Sequence, residues 1–385
     1  MITWQENLDF NPNSPTAMKY FTENAVFFDI ETTGFSPAAT SVYLIGCATR
    51  SKNTLQIRQF FAESPGEERE VICAFFALFA QYRTVLTFNG NGFDIPYLKA
   101  KCAKYHLADP FPEHDYIDLY KEVSRIRHLL KLPSLRQKSI EEFLGIDRED
   151  LFDGGALIEV YRSYTRRPEK ESLALLKQHN FEDVLYMPKL LPVLSYQELA
   201  GGTAVCLRVD ANEYTTYEQT TGRELLFTLS AGLSFPVPLS YCYDDFYLNI
   251  SGERITLRVP LCDGELRCYY QNYKDYYYLP DEDKAVHKSV SAYVDKAHRT
   301  KATAANCYLP KHALFLPQYQ PLYEPAFRVR RTDKKSYFEL SEEFISSAEM
   351  QTEYANHILQ WLILQKPKPP RREKTDAAPD GKSRH

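Results

Sequence analysis

The chain has no long apolar run, no closely paired cysteines and no net positive charge outside one segment. None of its hydrophobic stretches approaches the roughly 18 residues of a membrane-spanning helix, so no membrane association is expected. The first ten residues, MITWQENLDF, hold two acids and no basic stretch, so no signal peptide is expected. The eight cysteines (47, 73, 102, 206, 242, 262, 268 and 307) form no C-x-x-C pair. That disfavours a zinc site and reads as reduced thiols of a cytoplasmic protein. No internal repeat is visible in either half.

Formal net charge is −5, and residues 366–385 alone carry seven Lys or Arg against three Asp or Glu, leaving −9 on residues 1–365. Such a body repels nucleic acid as a whole. Binding there must rest on cations held by the protein or on local basic patches. The 366–385 segment, KPKPPRREKTDAAPDGKSRH, is rich in proline and charge and poor in apolar residues. It is expected to be a disordered basic tail, either a solubilising end or a nucleic-acid arm.

What is present suffices for two domains in 385 residues. Residues 1–24 read as irregular. AVFFDIE (25–31), SVYLIGCATR (41–50) and TLQIRQFFA (54–62) read as three antiparallel strands. A helix follows over 67–82, then a strand over 84–89, a helix over 94–106 and a strand over 115–120. From there to about 196 the pattern is helical, ending in a long helix from Glu169 that Pro188 should kink or end. The expectation is an α/β domain over 25–200 with a mixed five-stranded sheet flanked by helices. Residues 201–365 read as a β-rich second domain, with helices expected near 281–301 and 341–365.

Chemistry first shows in AVFFDIETTG. Asp29 and Glu31 are two apart on a strand and share a face. They end an apolar run, where unpaired carboxylates are costly and a divalent cation is the usual compensation. Asp94, in FNGNGFDIPYL, sits where a strand ends and a helix begins, at the edge where open α/β sheets put ligands. Taken alone it also reads as a helix cap, and Asn89 and Asn91 as turn formers. His179 and Asp183 are four apart in LLKQHNFEDVLYM and share a helix face, although taken alone an exposed pair has the same spacing. Leu173, Leu176, Val184 and Met187 form an apolar stripe that packs this helix. Asp118 reads as a structural hydrogen-bonding acid at a strand end.

Together and in order, FFDIETTG, SVYLIGCA, LTFNGNGFDIPYL, YIDLYKEV, KSIEEFLGIDR, GALIEVYRSY and LLKQHNFEDVLYM make residues 25–200 resemble the DEDD exonucleases of the RNase H-like superfamily. Within them the closer similarity is to the YprB-type exonucleases. The resemblance implies an RNase H-like fold and 3′→5′ exonuclease chemistry with two divalent cations, Mg²⁺ or Mn²⁺. It implies Asp29, Glu31, Asp94 and Asp183 as metal ligands and His179 as the residue that handles the attacking water. Thr33, Asn89 and Asn91 are the expected substrate contacts. Well-studied DEDD enzymes place a histidine five residues before the last Asp, and here the spacing is four. The expected partner is nucleic acid, DNA or RNA, through a single-stranded 3′ end.

The resemblance stops near residue 200. RCYYQNYKDYYYLP (267–280) reads as an aromatic sheet or a stacking platform for single strands. Arg328, Arg330, Arg331, Lys334 and Lys335 form the most basic cluster of the acidic body. Two rival readings remain at this level. One is an RNase H-like nucleic-acid-binding protein without catalysis; the other is an adaptor whose 201–365 region recruits a protein partner.

Overall fold

The structure is a computed structural model of the whole chain, described over residues 1–147, 154–215, 219 and 221–365. The expected tail, 366–385, lies outside the described residues. A six-stranded sheet organises the N-terminal half. Its strands are β1 (Ile2–Asp9), β2 (Ala25–Thr32), β3 (Val42–Ser51), β4 (Thr54–Phe61), β5 (Thr84–Thr87) and β6 (Asp115–Asp118). They lie in the order β1-β4-β3-β2-β5-β6. β1 to β4 pair antiparallel; β2, β5 and β6 run parallel.

The helices are α1 (Pro15–Tyr20), α2 (Glu68–Phe79), α3 (Asp94–Tyr105), α4 (Leu119–Leu130), α5 (Gln137–Phe143), α6 (Gly154–Arg166) and α7 (Lys170–Leu190). This mixed α/β sheet with helices on both faces is the RNase H-like layout. Pro188 sits in the last turn of α7, which ends two residues later at Leu190, so the hydrogen bond that it removes is one of the helix's last.

Residues 1–24 correct one expectation. They hold β1 and α1, and so add a sixth strand. β1 lies at the sheet edge, paired only with β4, and alternates half-buried with exposed residues. An edge strand that interleaves Ile2, Trp4 and Leu8 with polar residues gives a diluted periodic signal.

The alternation along β2 sends side chains to two cores. Val26, Phe28 and Ile30 pack with α2 and α3, and Phe28 lies 5.1 Å and 5.9 Å from the rings of Phe75 and Phe79. Ala25 and Phe27 face the other way, toward Val123 and Ile126 of α4 and Val184 and Met187 of α7.

That second core runs on without a break into the C-terminal half. It takes in Phe227, Leu248, Leu257, Tyr354 and Leu359. They belong to the sheet β7-β8-β11-β10-β9 and to a long helix. The strands are β7 (Val205–Thr215), β8 (Thr221–Ser230), β9 (Leu239–Tyr243), β10 (Phe246–Ser251) and β11 (Arg254–Pro260). β12 (Cys262–Tyr269), β16 (Tyr308–Gln318), β17 (Phe327–Arg328) and β18 (Ser336–Glu339) close a small barrel. β13 (Tyr276–Leu279), β14 (Lys284–His287) and β15 (Thr300–Lys301) form a third sheet. The remaining helices are α8 (Ser195–Glu198), α9 (Lys288–Ser291), α10 (Glu342–Ser346) and α11 (Ala348–Leu364).

The helix expected near 281–301 is absent. β14, α9 and β15 occupy that stretch instead. Its apolar residues fit a helical period but have no core to face: Val290 is 56% and Tyr293 93% exposed. Pairing Tyr278 with Ala285 buries Ala285 instead. The tyrosine run packs as sheet aromatics, with Tyr270 and Tyr276 stacked at 4.4 Å. The helix expected near 341–365 is present as α10 and α11. Among the described residues, no helix is long and apolar enough to cross a membrane.

One buried ion pair fixes the loop that follows β2. The Lys101 ammonium lies 2.8 Å from Glu68 Oε1, and both side chains are almost wholly buried. Glu68 also accepts from the Val42 amide at 2.8 Å and from the Tyr105 hydroxyl at 2.5 Å. Lys101 donates to the Thr40 carbonyl. Burial would raise the Glu68 carboxyl, but its bonds to Lys101, Tyr105 and Val42 outweigh this and hold it below the usual range. Loop 33–41 is thereby tied to α2 and α3. Lys101→Met leaves Glu68 only the exposed Lys104 ammonium, 3.3 Å from its other oxygen, so it is expected to cost about 3 kcal/mol of unfolding free energy in urea titration. A loss under about 1 kcal/mol contradicts this role for the pair.

Candidate active site

The site lies where β2 ends and α7 crosses the sheet. Ala25 to Phe28 are buried completely or nearly so, which fixes the strand in the sheet centre. The alternation then puts Asp29 and Glu31 on the face of Ala25 and Phe27, which α7 covers. The helical spacing of His179 and Asp183 turns both toward that face. Leu176, Val184 and Met187 are buried as the stripe requires.

His179 Nε2 lies 3.5 Å from Glu31 Oε1 and 3.3 Å from Asp183 Oδ2. Glu31, His179 and Asp183 each offer one ligand atom, and the three atoms lie within 4.8 Å of one another. Glu31 and His179 are buried and Asp183 half-buried. Burial pushes the Glu31 carboxyl up to about 8, with His179 opposing and Asp183 and Asp94 adding to the rise.

Asp94 arrives from the β5 side of β2. It is the first residue of α3 and does not cap it. β5 pairs with β2 only from Ala25 to Phe27. Beyond that point Asp94 Oδ1 accepts from the Ile30 amide at 3.1 Å. Its carboxyl is pushed up to about 7, chiefly by burial and against the Ile30 bond. Asp94 and Asp29 stand outside the group of three but at the same strand end. Asp29 Oδ2 accepts from Asn180 Nδ2 at 3.4 Å.

The other expected residues divide. Asp118 is structural: it accepts from the amides of Asn89 (2.8 Å), Asn91 (3.1 Å) and Tyr120 (3.1 Å), which holds the loop after β5 and caps α4. Asn89 takes a positive φ of 63° in that loop. Gly90 beside it has no room for a Cβ, which would come within 2.5 Å of Thr87. The side chains of Asn89 and Asn91 face solvent. Asn89 also lines a cavity of about 450 Å³ with Phe88, Tyr120, Leu135, Arg136 and Gln137. Thr33 Oγ1 accepts from the Ser41 amide at 2.9 Å and closes loop 33–41.

Asn180 lies inside the His-Asn-x-x-Asp motif without a role expected for it, and Gln59 lies outside the motifs; the structure brings both to the site. Asn180 follows the motif histidine and lies on a different helical face in projection. Gln59 carries a readable signal: a polar residue in the inward register of Leu55, Ile57 and Phe61, yet only 1% exposed.

The donor set fits a hard divalent cation such as Mg²⁺ or Mn²⁺: carboxylate oxygens with one imidazole and no thiolate. The raised Glu31 and Asp94 carboxyls are what a nearby cation would bring back to ionisation.

Residues 26–195 match a family model described as RNase_H superfamily. No match is found among curated proteins. Among solved structures, the chain is similar to zinc-bound E. coli exonuclease I in complex with single-stranded DNA, at 17% identity over 54% of each chain and a TM-score of 0.28. E. coli exonuclease I with a dT13 oligonucleotide follows at 15% identity, over 54% of this chain and 55% of that one, TM-score 0.28. A family B DNA polymerase from Pyrobaculum calidifontis is 14% identical over 88% of this chain and 46% of that one, TM-score 0.39. The chain thus spans about half the length of the solved structures it matches. The fold assignment rests on the chain's own sheet order and on the family match.

A raised carboxyl makes the metal-free site pH-dependent. Glu31 and Asp94 favour the neutral form when folded, so their contribution to stability is full below the unfolded values near 4 and is lost as pH rises through about 7 and about 8. In chelator, the unfolding midpoint is expected to fall from pH 5 to pH 8, and Glu31→Gln is expected to flatten that slope. Added Mn²⁺ should stabilise more at pH 8 than at pH 6. A midpoint in chelator that rises over this range contradicts the burial of these two acids as the cause.

Proposed function

We propose that the chain is a metal-dependent 3′→5′ exonuclease of the YprB type, cutting nucleic-acid phosphodiester bonds one end-nucleotide at a time. The observation that carries this reading is the meeting of Glu31, His179 and Asp183 from two distant segments, with ligand atoms within 4.8 Å. The match of residues 26–195 to the RNase_H superfamily supports it.

Asp29, Glu31, Asp94 and Asp183 are the residues that would hold two divalent cations. Such cations supply Lewis acidity, easing ionisation of the attacking water and offsetting charge on the leaving oxygen. The protein's own residues do the rest. Glu31 and Asp183 lie 3.5 Å and 3.3 Å from His179 Nε2 and keep the imidazole at the site; with both carboxylates engaged by cations, that nitrogen would be free to accept the proton of the attacking water. The hydrogen bond from Ile30 fixes the Asp94 carboxylate against the strand carrying the other acids.

Loop 33–41 and the start of α3 flank the strand end. Phe35 is 85% exposed there, its ring centroid 6.1 Å from that of Phe93. An exposed aromatic face of this kind suits stacking on an unpaired terminal base. Thr33, Asn89 and Asn91 are proposed to contact the same terminal nucleotide. The β-rich half is proposed to help hold the strand, or to recruit a protein partner.

The test is digestion of 5′- and 3′-labelled DNA and RNA with Mg²⁺ or Mn²⁺, with chelator as control. A 5′-labelled single strand is expected to shorten from its 3′ end. Asp29→Ala and Asp183→Ala are expected to abolish this with the fold intact. His179→Ala should lower kcat about 10²–10⁴-fold. Equal rates in these variants and the parent refute the mechanism. Calorimetric binding of Mn²⁺ without any digestion would favour a catalytically silent nucleic-acid-binding protein.

A further inference from the structure

Three residues stand in one row across the sheet, and only the first of them was expected at the site. Asp29 on β2 pairs with Gly46 on β3, which pairs with Gln59 on β4. Directly paired residues point to the same face. Here that face is covered by α7, and Asn180 of α7 lies over Gly46. A Cβ at Gly46 would collide with the Asn180 amide oxygen, so the missing side chain leaves the space that this amide occupies. Asn180 is fully buried.

The hydrogen bonds between Gln59, Asn180 and Asp29 share one direction. Gln59 Nε2 donates to the Lys177 carbonyl at 3.0 Å. A carbonyl can only accept, so this bond fixes which end of the Gln59 amide faces α7. The same nitrogen donates to Asn180 Oδ1 at 3.0 Å. The Asn180 oxygen is thereby turned toward Gln59 and its NH₂ toward Asp29, whose Oδ2 accepts at 3.4 Å. The donors thus run from Gln59 through Asn180 to the Asp29 carboxylate, with the Lys177 carbonyl as the fixed acceptor that sets the Gln59 amide.

We infer that Asn180 is a positioning residue, oriented by Gln59, that fixes the rotation of the Asp29 carboxylate and so the oxygen it presents to a cation. The inference rests on the reading of Asp29 as a cation ligand. A neutral amide suits this role, because it orients the carboxylate without supplying a positive charge that would compete with the cation. Partners that orient a ligand in this way typically change metal affinity or turnover 10–100-fold when removed.

The test compares the full-length parent with Asn180→Leu, which keeps the branching at Cγ and removes the donor, and with Gln59→Leu and the double variant. Mn²⁺ alone is titrated by calorimetry, and kcat and KM are measured on a labelled single strand. Asn180→Leu is expected to raise the Mn²⁺ Kd and lower kcat by about 10–100-fold, with KM for the strand within about twofold. Gln59→Leu should shift both in the same direction by less, and the double variant should be no worse than Asn180→Leu. A residue needed only for packing would lower the unfolding midpoint and leave the Kd of the folded fraction unchanged.

An unchanged Kd in a folded Asn180→Leu overturns the inference. If that variant does not fold, an unchanged Kd in Gln59→Leu overturns it equally. A parent that binds Mn²⁺ but digests nothing, with weaker binding in Asn180→Leu, removes the exonuclease reading and leaves the positioning role standing. A parent that digests strands, with Mn²⁺ binding unchanged in Asn180→Leu, does the reverse. A parent that binds no Mn²⁺ removes both.

Discussion

Everything in this molecule turns on keeping carboxylates at the end of a strand in the middle of a packed sheet. Burial opposes their charge, and Glu31 and Asp94 show that opposition directly. An α/β domain has no structural use for such an arrangement, because apolar side chains would pack there at lower cost. The surrounding elements instead serve it. β5 stops pairing with β2 at Phe27, which leaves the Ile30 amide for Asp94. Gly46 leaves the space in which the Asn180 amide reaches Asp29. Gln59, in a register otherwise filled by Leu55, Ile57 and Phe61, orients that amide.

The supports outside the site follow from the same demand. The loop after Glu31 must leave the sheet without loosening the strand end. Glu68 and Lys101 hold it, joined to the Val42 amide and the Thr40 carbonyl. Asp118 does the equivalent for the loop between β5 and Asp94, through Asn89 and Asn91. Both anchors are buried carboxylates satisfied by local donors, in contrast to Glu31. The site and its supports therefore use the same side-chain type in opposite ways. The C-terminal half joins by burial, since α4 and α7 share a continuous core with β8, β10, β11 and α11. α7 thus carries the motif residues between two halves that it helps to bind together.

Much of the fold was legible in the sequence because its elements are strongly periodic. The strands β2 to β6 and helices α2, α3 and α7 fall within a few residues of where hydrophobic pattern and turn chemistry put them. Two misses share a cause. β1 is an edge strand with only half its residues partly covered. The stretch near 281–301 has a helical period that no neighbouring surface rewards, and it forms β14, α9 and β15. In both, the tertiary partner outweighed the local pattern.

The sequence by itself determined the strand that carries Asp29 and Glu31, the helix that carries His179 and Asp183, and the type of chemistry these residues suit. Alternation by two and recurrence by four are local geometry, fixed by the backbone before any packing. Only the tertiary structure decided which oxygens meet. It put Glu31, His179 and Asp183 together, tied Asp94 to the backbone of β2 rather than to a helix end, and made Asn180 the partner of Asp29. The hydrogen bonds of Asp94 and Asn180 span 64 and 151 residues of chain, and no local pattern encodes the rotation of one element over another. At Asn180 even the space for the side chain comes from another strand, through the missing side chain at Gly46.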